Sequence, residues 1–278
     1  MPPSAPPSAA AVAAPGTTPW WIGAFGPLYL TVYANRGEEE ALRHAPAILR
    51  WLGTPVNGRI LDVACGAGRY ARAFAAAGYR VTGIDVSEDL LAEARKRSPG
   101  LPGEPTYLRV DMRLLPFEEQ FEGAVLLFTS FGYFDDRAED ARVLEGIHRA
   151  LVPGGRFVLD FLNAAHVRAT LVEHDEDARG DWRVAAERRL DDTSPGGPYV
   201  RKSVVVTDLH TGQAEGRYSE RVRLYPPDEL EAMLSAAGFR FVGGRMGDLD
   251  GRPHDDDAPR FVRVVERPPR PTRSRLFL

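Results

Sequence analysis

The sequence has one cysteine, Cys65, and two lysines, Lys96 and Lys202, so nearly all of its positive charge is arginine. A lone thiol closes no internal disulfide, which suits a reducing cytoplasm and argues against the disulfide-stapled secreted scaffolds. No apolar run comes near the roughly 20 residues of a membrane-spanning helix, so no membrane partner is expected. The opening stretch MPPSAPPSAAAVAAPGTTP lacks a basic leader and is too proline-rich for the apolar centre of a signal peptide. Excess charge is also scarce. A formal net charge of −4 gives no general attraction to nucleic acid or anionic membrane. No internal repeat is visible. What is present is an ordinary globular balance, 44% hydrophobic and 27% charged over 278 residues. That is enough chain for one large domain with an inserted subdomain.

Residues 1–19 are too rich in Pro, Ala and Ser to bury a core and read as a disordered tail. Residues 20–52 read as an aromatic and helical lid. Trp21, Phe25, Tyr29 and Tyr33 recur every four residues, while Gly23, Gly26 and Pro27 argue against one regular helix. This arm either packs on the domain or closes over a ligand. Residues 38–52 carry Leu42, Ala45, Ile48, Leu49 and Leu52 in a helical stripe that Pro46 should kink or divide. Residues 53–181 alternate apolar strands with helical stretches, the mark of a doubly wound parallel sheet. Strands are expected at Ile60–Val63, Val81–Ile84, Thr106–Val110, Gly123–Phe128 and Arg156–Phe161. From Trp182 to Tyr225 the pattern becomes long, arginine-rich and β-like, and reads as an antiparallel insertion of about three strands. Residues 226–267 return to the core with a helix opened by Pro226-Pro227-Asp228 and two closing strands. Residues 268–278 form a tail.

The chemistry concentrates in Arg59–Ser87. There a strand meets Gly66-Ala67-Gly68, a helix follows, and a second strand ends at Asp85-Val86. Taken alone, G-x-G-x-x-A also fits a dinucleotide fingerprint. Asp62 sits just before the glycines, where it would face a pyrophosphate, and an acid there suits a cation instead. Asp85 can accept hydrogen bonds from both hydroxyls of a ribose. Asp111-Met112 places a carboxylate and a soft apolar side chain where an adenine can lie. A cationic head, a ribose and an adenine without pyrophosphate point to S-adenosylmethionine (SAM). A nicotinamide dehydrogenase has no use for Asp62 or Asp111-Met112.

At ILDVACGAG, VTGIDVS, DMR, LLFTSFGYFDD and LVPGGRFVLDFLN the sequence resembles the class I SAM-dependent methyltransferases of the bacterial small-molecule type. The resemblance implies a Rossmann-like seven-stranded α/β sheet, mostly parallel with its last strand antiparallel, and an antiparallel β insertion after strand five. It implies that Asp62 and the backbone of Ala64, Gly66 and Gly68 hold the methionine portion, Asp85 the ribose, and Asp111 and Met112 the adenine, with Val86 also among the cofactor-binding residues. Phe128 would pack near the cofactor, with Tyr29 and Tyr33 over it. Tyr133 follows the active-site loop and is the first catalytic candidate, orienting the acceptor or taking a proton through water. His166, just beyond strand five, is the second. No metal site is expected; His254 with Asp255–Asp257 reads as a solvated acidic run.

These features point to a cytoplasmic methyltransferase acting on an oxygen, nitrogen or carbon of a small metabolite, with homo-oligomerisation left open. Two alternatives stand beside it. The insertion arginines (Arg183, Arg188, Arg189, Arg201, Arg217, Arg221 and Arg223) would serve an RNA or protein substrate if they formed a phosphate track. Their interleaving with Glu187, Asp191, Asp192 and Glu220 favours a salt-bridged face. The other alternative is a protein that binds SAM without transferring its methyl group.

Overall fold

The computed structural model describes residues 19–33 and 37–270. The tail expected over 1–19 lies outside them apart from Pro19, as does 271–278 of the expected C-terminal tail. Among the described residues no helix is long and apolar enough to cross a membrane.

Seven strands form the main sheet: β1 (Arg59–Val63), β2 (Arg80–Asp85), β3 (Thr106–Arg109), β4 (Phe121–Leu126), β5 (Leu151–Leu162), β10 (Arg240–Phe241) and β11 (Arg260–Glu266). Their order is β10-β11-β5-β4-β1-β2-β3. The first five run parallel, and β11 lies antiparallel between β5 and β10. Alternate residues feed two cores, as a sheet covered on both faces requires. Leu61, Val63, Leu126 and Phe157 pack on one side, and Ile60, Val125, Val158 and Val262 on the other. β1 is flanked by β2 and β4, whose connecting helices lie on opposite faces. The crevice at the carboxyl ends of these strands is where such sheets bind ligands.

Several helices form for the expected reasons. Ser87 caps α5 (Glu88–Lys96), its hydroxyl accepting from Leu90 N–H, and Asp136 caps α6 (Arg137–Ala150) through Ala138 N–H. α4 (Arg69–Ala76) follows the glycine turn. The helix α3 (Glu38–Leu52) departs from expectation because it runs unbroken through Pro46. The missing N–H of Pro46 would have reached the carbonyl of Leu42, and both residues face solvent, where water satisfies that carbonyl. Leu42 is therefore not part of the stripe; Ala41 takes its place against the core. β4 also ends two residues early, because Phe128 and Thr129 both turn to positive φ (56° and 66°).

The second sheet has four antiparallel strands: β6 (His174–Arg179), β7 (Trp182–Asp191), β8 (Tyr199–Asp208) and β9 (Ala214–Arg223). The expectation of about three strands starting at Trp182 missed β6. HDEDAR has no apolar alternation and is an exposed edge strand held by its ladder to β7. Against the inner face lie α1 (Trp20–Ala24) and α2 (Pro27–Val32), broken at Phe25-Gly26. Ala24 and Val32 pack there with Val184, Ala186, Val204, Val206 and Tyr218 as a third, separate core.

Candidate active site

The crevice at the carboxyl ends of β1, β2 and β4 holds a cleft of two lobes that share Tyr29, Ala64, Gly66 and Ser130. The first lobe is about 620 Å³ including its mouth, within the range of small-molecule sites. It gathers Asp85, Val86, Asp111, Met112 and Tyr133, under a roof of Trp21, Phe25 and Phe134. The second gathers Asp62, Phe128 and Tyr33 with Arg69 and Tyr70. Eleven of the thirteen expected residues thus meet in one cleft. Gly68 and His166 line neither lobe.

Asp62, next to last in β1, is almost fully buried, at 3% exposure, and its Oδ2 has no hydrogen-bond partner among the described residues. Burial first, then the charge of Asp85, pushes its carboxyl up to about 7. The Ala71 backbone N–H and the Arg69 charge act against that rise, but an oxygen buried without a partner stays costly unless a cation or donor arrives. Asp85, 8% exposed, is better served. Its Oδ2 accepts the Gly66 N–H at 2.9 Å and its Oδ1 the Ser87 N–H at 2.9 Å. Burial raises its pKa, and these backbone bonds counter the rise. Each oxygen keeps a second lone pair for a ligand hydroxyl.

Gly68 serves packing. Its φ is +75°, its N–H donates to Cys65 O at 2.9 Å, and a Cβ would lie 2.5 Å from Tyr107 Oη. Its backbone N–H is thus not available for the methionine portion. His166 sits on α7 (Ala164–Thr170). Asn163 caps that helix and its amide donates to the carbonyls of Asp255 and Ala258, which ties the start of α7 to the 255–258 loop. Asp111 lies in the cleft, but its carboxylate caps the following 3-10 turn and is clamped by Arg113 at 2.6 Å; Arg113 also pairs with Glu139. What it offers a base is the remaining lone-pair capacity, not a free carboxylate.

Tyr133 presents a phenol rather than a phenolate. Burial first, then Tyr29 and Glu220, pushes its pKa well above the usual value, against the opposing hydrogen bond of Ser130. These surroundings favour the neutral phenol, which can donate a hydrogen bond and orient a ligand. Its ring belongs to an aromatic chain: Tyr133–Phe25 at 5.6 Å, Phe25–Tyr29 at 5.3 Å and Tyr29–Tyr33 at 4.5 Å between centroids. Tyr33 ends that chain tied to the insertion, donating to Glu220 Oε1 at 2.9 Å and accepting from Lys202 Nζ at 2.7 Å. The arm therefore both packs on the insertion and lines the cleft.

Sequence reasoning missed two supports, Arg69 and Asp160, and left Trp21 of the aromatic arm between packing and covering a ligand. Arg69 lies over the Phe128 ring at 4.1 Å and pairs with Glu40 at the second lobe. Trp21 roofs the first lobe, with its ring against Phe134 at 5.1 Å. Asp160 on β5 holds the left-handed pair after β4. Its Oδ2 accepts the Phe128 N–H at 2.8 Å, its carbonyl the Thr129 N–H at 3.1 Å, and its Oδ1 the Arg260 Nε–H at 2.8 Å. Two adjacent non-glycine residues at positive φ are rare and concentrate at ligand sites. An acid within the apolar run RFVLDFL was the one local signal of this support.

The strand order, the reversed β11 and acids near the ends of the first two strands define a class I methyltransferase fold. Comparison with known proteins agrees. Residues 60–155 match the family model described as a methyltransferase domain. The chain is 38% identical over 193 residues to a demethylmenaquinone methyltransferase of Clavibacter sepedonicus, covering 69% of each. It is 29% identical over 216 residues to the dTDP-3-amino-3,4,6-trideoxy-alpha-D-glucopyranose N,N-dimethyltransferase of Streptomyces venezuelae, covering 77% of this chain and 89% of that one. The CcbJ methyltransferase of Streptomyces caelestis shares the fold, with a TM-score of 0.71 at 20% identity over 84% of this chain and 92% of its own. The chain belongs to the class I SAM-dependent methyltransferases of the bacterial small-molecule type.

Proposed function

We propose that the protein binds SAM in the two-lobed cleft and transfers its methyl group to a nitrogen, oxygen or carbon of a small metabolite, with an amine nitrogen favoured. The observation that carries the cofactor reading is the buried, unpartnered Oδ2 of Asp62, which a cationic ligand would satisfy. SAM, when bound, supplies an electrophilic methyl group on a cationic sulfur. Asp62 would face its methionine end, with Arg69 offering a cation to the carboxylate, and Asp85 would receive the ribose hydroxyls. Val86, Met112 and Asp111 would border the adenine. Tyr29, Phe128 and Tyr133 would shape the space in which an acceptor meets the methyl group. In-line displacement needs alignment and exclusion of water more than acid or base chemistry. An amine is favoured because no histidine lines either lobe among the described residues and the Tyr133 phenol stays protonated. A neutral amine attacks without prior deprotonation, whereas a hydroxyl acceptor asks for a base. The amino-sugar substrate in the name of the Streptomyces venezuelae relative agrees with this preference.

An RNA substrate finds little support. The β6–β9 segment holds nine Lys and Arg against ten Asp and Glu. Arg183, Arg188, Arg201 and Arg221 pair with Glu176, Asp175, Asp191 and Asp135. Isothermal titration with SAM and its demethylated product S-adenosylhomocysteine tests the cofactor reading. Wild-type protein should bind both, and Asp85→Ala should weaken SAM by at least about tenfold, the cost of one or two charge-assisted hydrogen bonds. Unchanged affinity in that variant removes the ribose contact, and no binding by the wild type removes the function.

A further inference from the structure

Behind the loop that carries Tyr133 lies a charged group for which the methyl-transfer chemistry has no use. Arg223, the last residue of β9, is fully buried, as are Asp140 of α6 and Tyr225. Tyr225 Oη donates to Asp140 Oδ2 at 2.8 Å, and Arg223 Nε lies 3.9 Å from that oxygen. The guanidinium sits over the rings of Tyr199 at 5.0 Å and Tyr225 at 5.5 Å. Burial pushes the Asp140 carboxyl up to about 7, although Tyr225, Arg223 and the Gly132 N–H all act to lower it. Arg223 Nε and Nη1 and Asp140 Oδ1 have no hydrogen-bond partner among the described residues. Well-packed apolar side chains would commonly be as stable as such a group or more so, which makes stability alone a poor reason for it.

The contacts of Arg223 converge on one short loop. Its backbone N–H donates to Gly132 O at 2.9 Å, and its Nη2 donates to Phe134 O at 3.1 Å and Asp135 O at 3.0 Å. The residues on both sides of Tyr133 are thereby held to the end of β9. Gly132 takes a left-handed φ of +77° that favours glycine, and a Cβ there would lie 3.4 Å from Arg223, in ordinary contact with it. Arg221 adds an ion pair to Asp135 from the same strand. On the other side of the loop, Trp20 Nε1 donates to Tyr133 O at 3.2 Å with the two rings 5.2 Å apart.

We infer that Arg223, with Asp140 and Tyr225 behind it, is a positioning device that sets the acceptor-side loop 130–135, and so the Tyr133 hydroxyl, by anchoring it to the inserted sheet. The acceptor-side label rests on the methyltransferase reading above; the anchoring itself does not. The test uses the full chain with 5-fluorotryptophan, so that the Trp20 resonance reports the loop and Trp51, on α3, serves as control. Hydrogen exchange is followed on Arg223→Met, Arg223→Lys and Tyr225→Phe, and S-adenosylhomocysteine is the binding probe. In Arg223→Met, amides 132–135 should exchange at least about tenfold faster, with a shifted Trp20 resonance, while β1, β4 and β5 keep their protection. Probe affinity should stay within about threefold, because Asp62 and Asp85 lie on other elements. Arg223→Lys should recover part of the protection. If Arg223→Met does not fold, Tyr225→Phe decides, since it removes only the hydroxyl behind the guanidinium. Unchanged exchange at 132–135 overturns the inference. So does a uniform loss of protection through β4, β5 and α6, which would make the group merely structural. Failure of the wild type to bind the probe would defeat the cofactor reading, and the wild-type and variant exchange profiles would still decide the anchoring.

Discussion

Asp62 gives the cleft a pH dependence whose sign is fixed by its burial. Its carboxyl is raised from 3.8 to about 7, so the folded chain holds the proton more tightly than the unfolded chain does. The stability that follows is fully present below about pH 4 and is lost as pH rises through about 7. Asp140 adds a contribution of the same sign. A bound cation beside Asp62 reverses the trend, because it favours the charged form. The melting temperature of the ligand-free protein should therefore carry a falling component between pH 5 and pH 8, and the increment added by SAM should grow over the same interval. Asp62→Asn should flatten the ligand-free slope, leave the variant more stable than wild type at pH 8, and weaken SAM by at least about tenfold. Thermal melts with and without SAM read all three effects. A variant with the wild-type slope and wild-type SAM increment would show that this carboxylate meets no cation. The same residue-scale logic applies to Tyr133, whose buried surroundings favour the neutral phenol.

Among the elements, the glycine turn after β1 separates two demands that a motif merges. Gly66 lines both lobes and gives its N–H to Asp85, whereas Gly68 meets Tyr107. Gly68→Ala should cost about 3 kcal/mol, combining left-handed strain with a clash against a buried ring. Gly78 also has positive φ, at +89°, but a Cβ there meets nothing within 4 Å. Gly78→Ala should therefore cost only about 1 kcal/mol. Urea unfolding of the two variants measures the difference, and equal costs would mean that Tyr107 gives way freely. Such distinctions mark the limit of sequence reading. The strand ends that carry Asp62, Asp85 and Asp111 were legible because apolar runs and glycine turns are local signals. The clamp on Asp111 was not, because Glu139, on the helix after β4, completes it. β6 was hidden since its pairing, not its composition, makes it a strand. The left-handed Phe128-Thr129 depends on Asp160, some thirty residues later in the chain.

At the scale of the whole molecule, the arm and the inserted sheet form a core of their own, apart from the two that cover the main sheet. Ala24 and Val32 face Val184, Val204 and Val206 on that sheet, while Trp21, Phe25 and Tyr29 face the cleft. The arm that roofs the cleft thus rests on a core distinct from the two that cover the main sheet. A charge placed in that small core should release the arm without unfolding the rest. Val206 is fully buried between the two, and Val206→Asp would bury a carboxylate among apolar side chains. Limited proteolysis should then cut within residues 20–33 at least about tenfold faster, since cleavage follows the population of the open form. Hydrogen exchange in β1, β4 and β5 should change little, because their contacts lie in the other two cores. SAM affinity should fall by less than about tenfold, as Asp62 and Asp85 remain in place and only the aromatic roof is lost. A parallel loss of protection in both sheets would instead make the molecule one cooperative unit, and the arm would then be part of the core and not a cover for the acceptor.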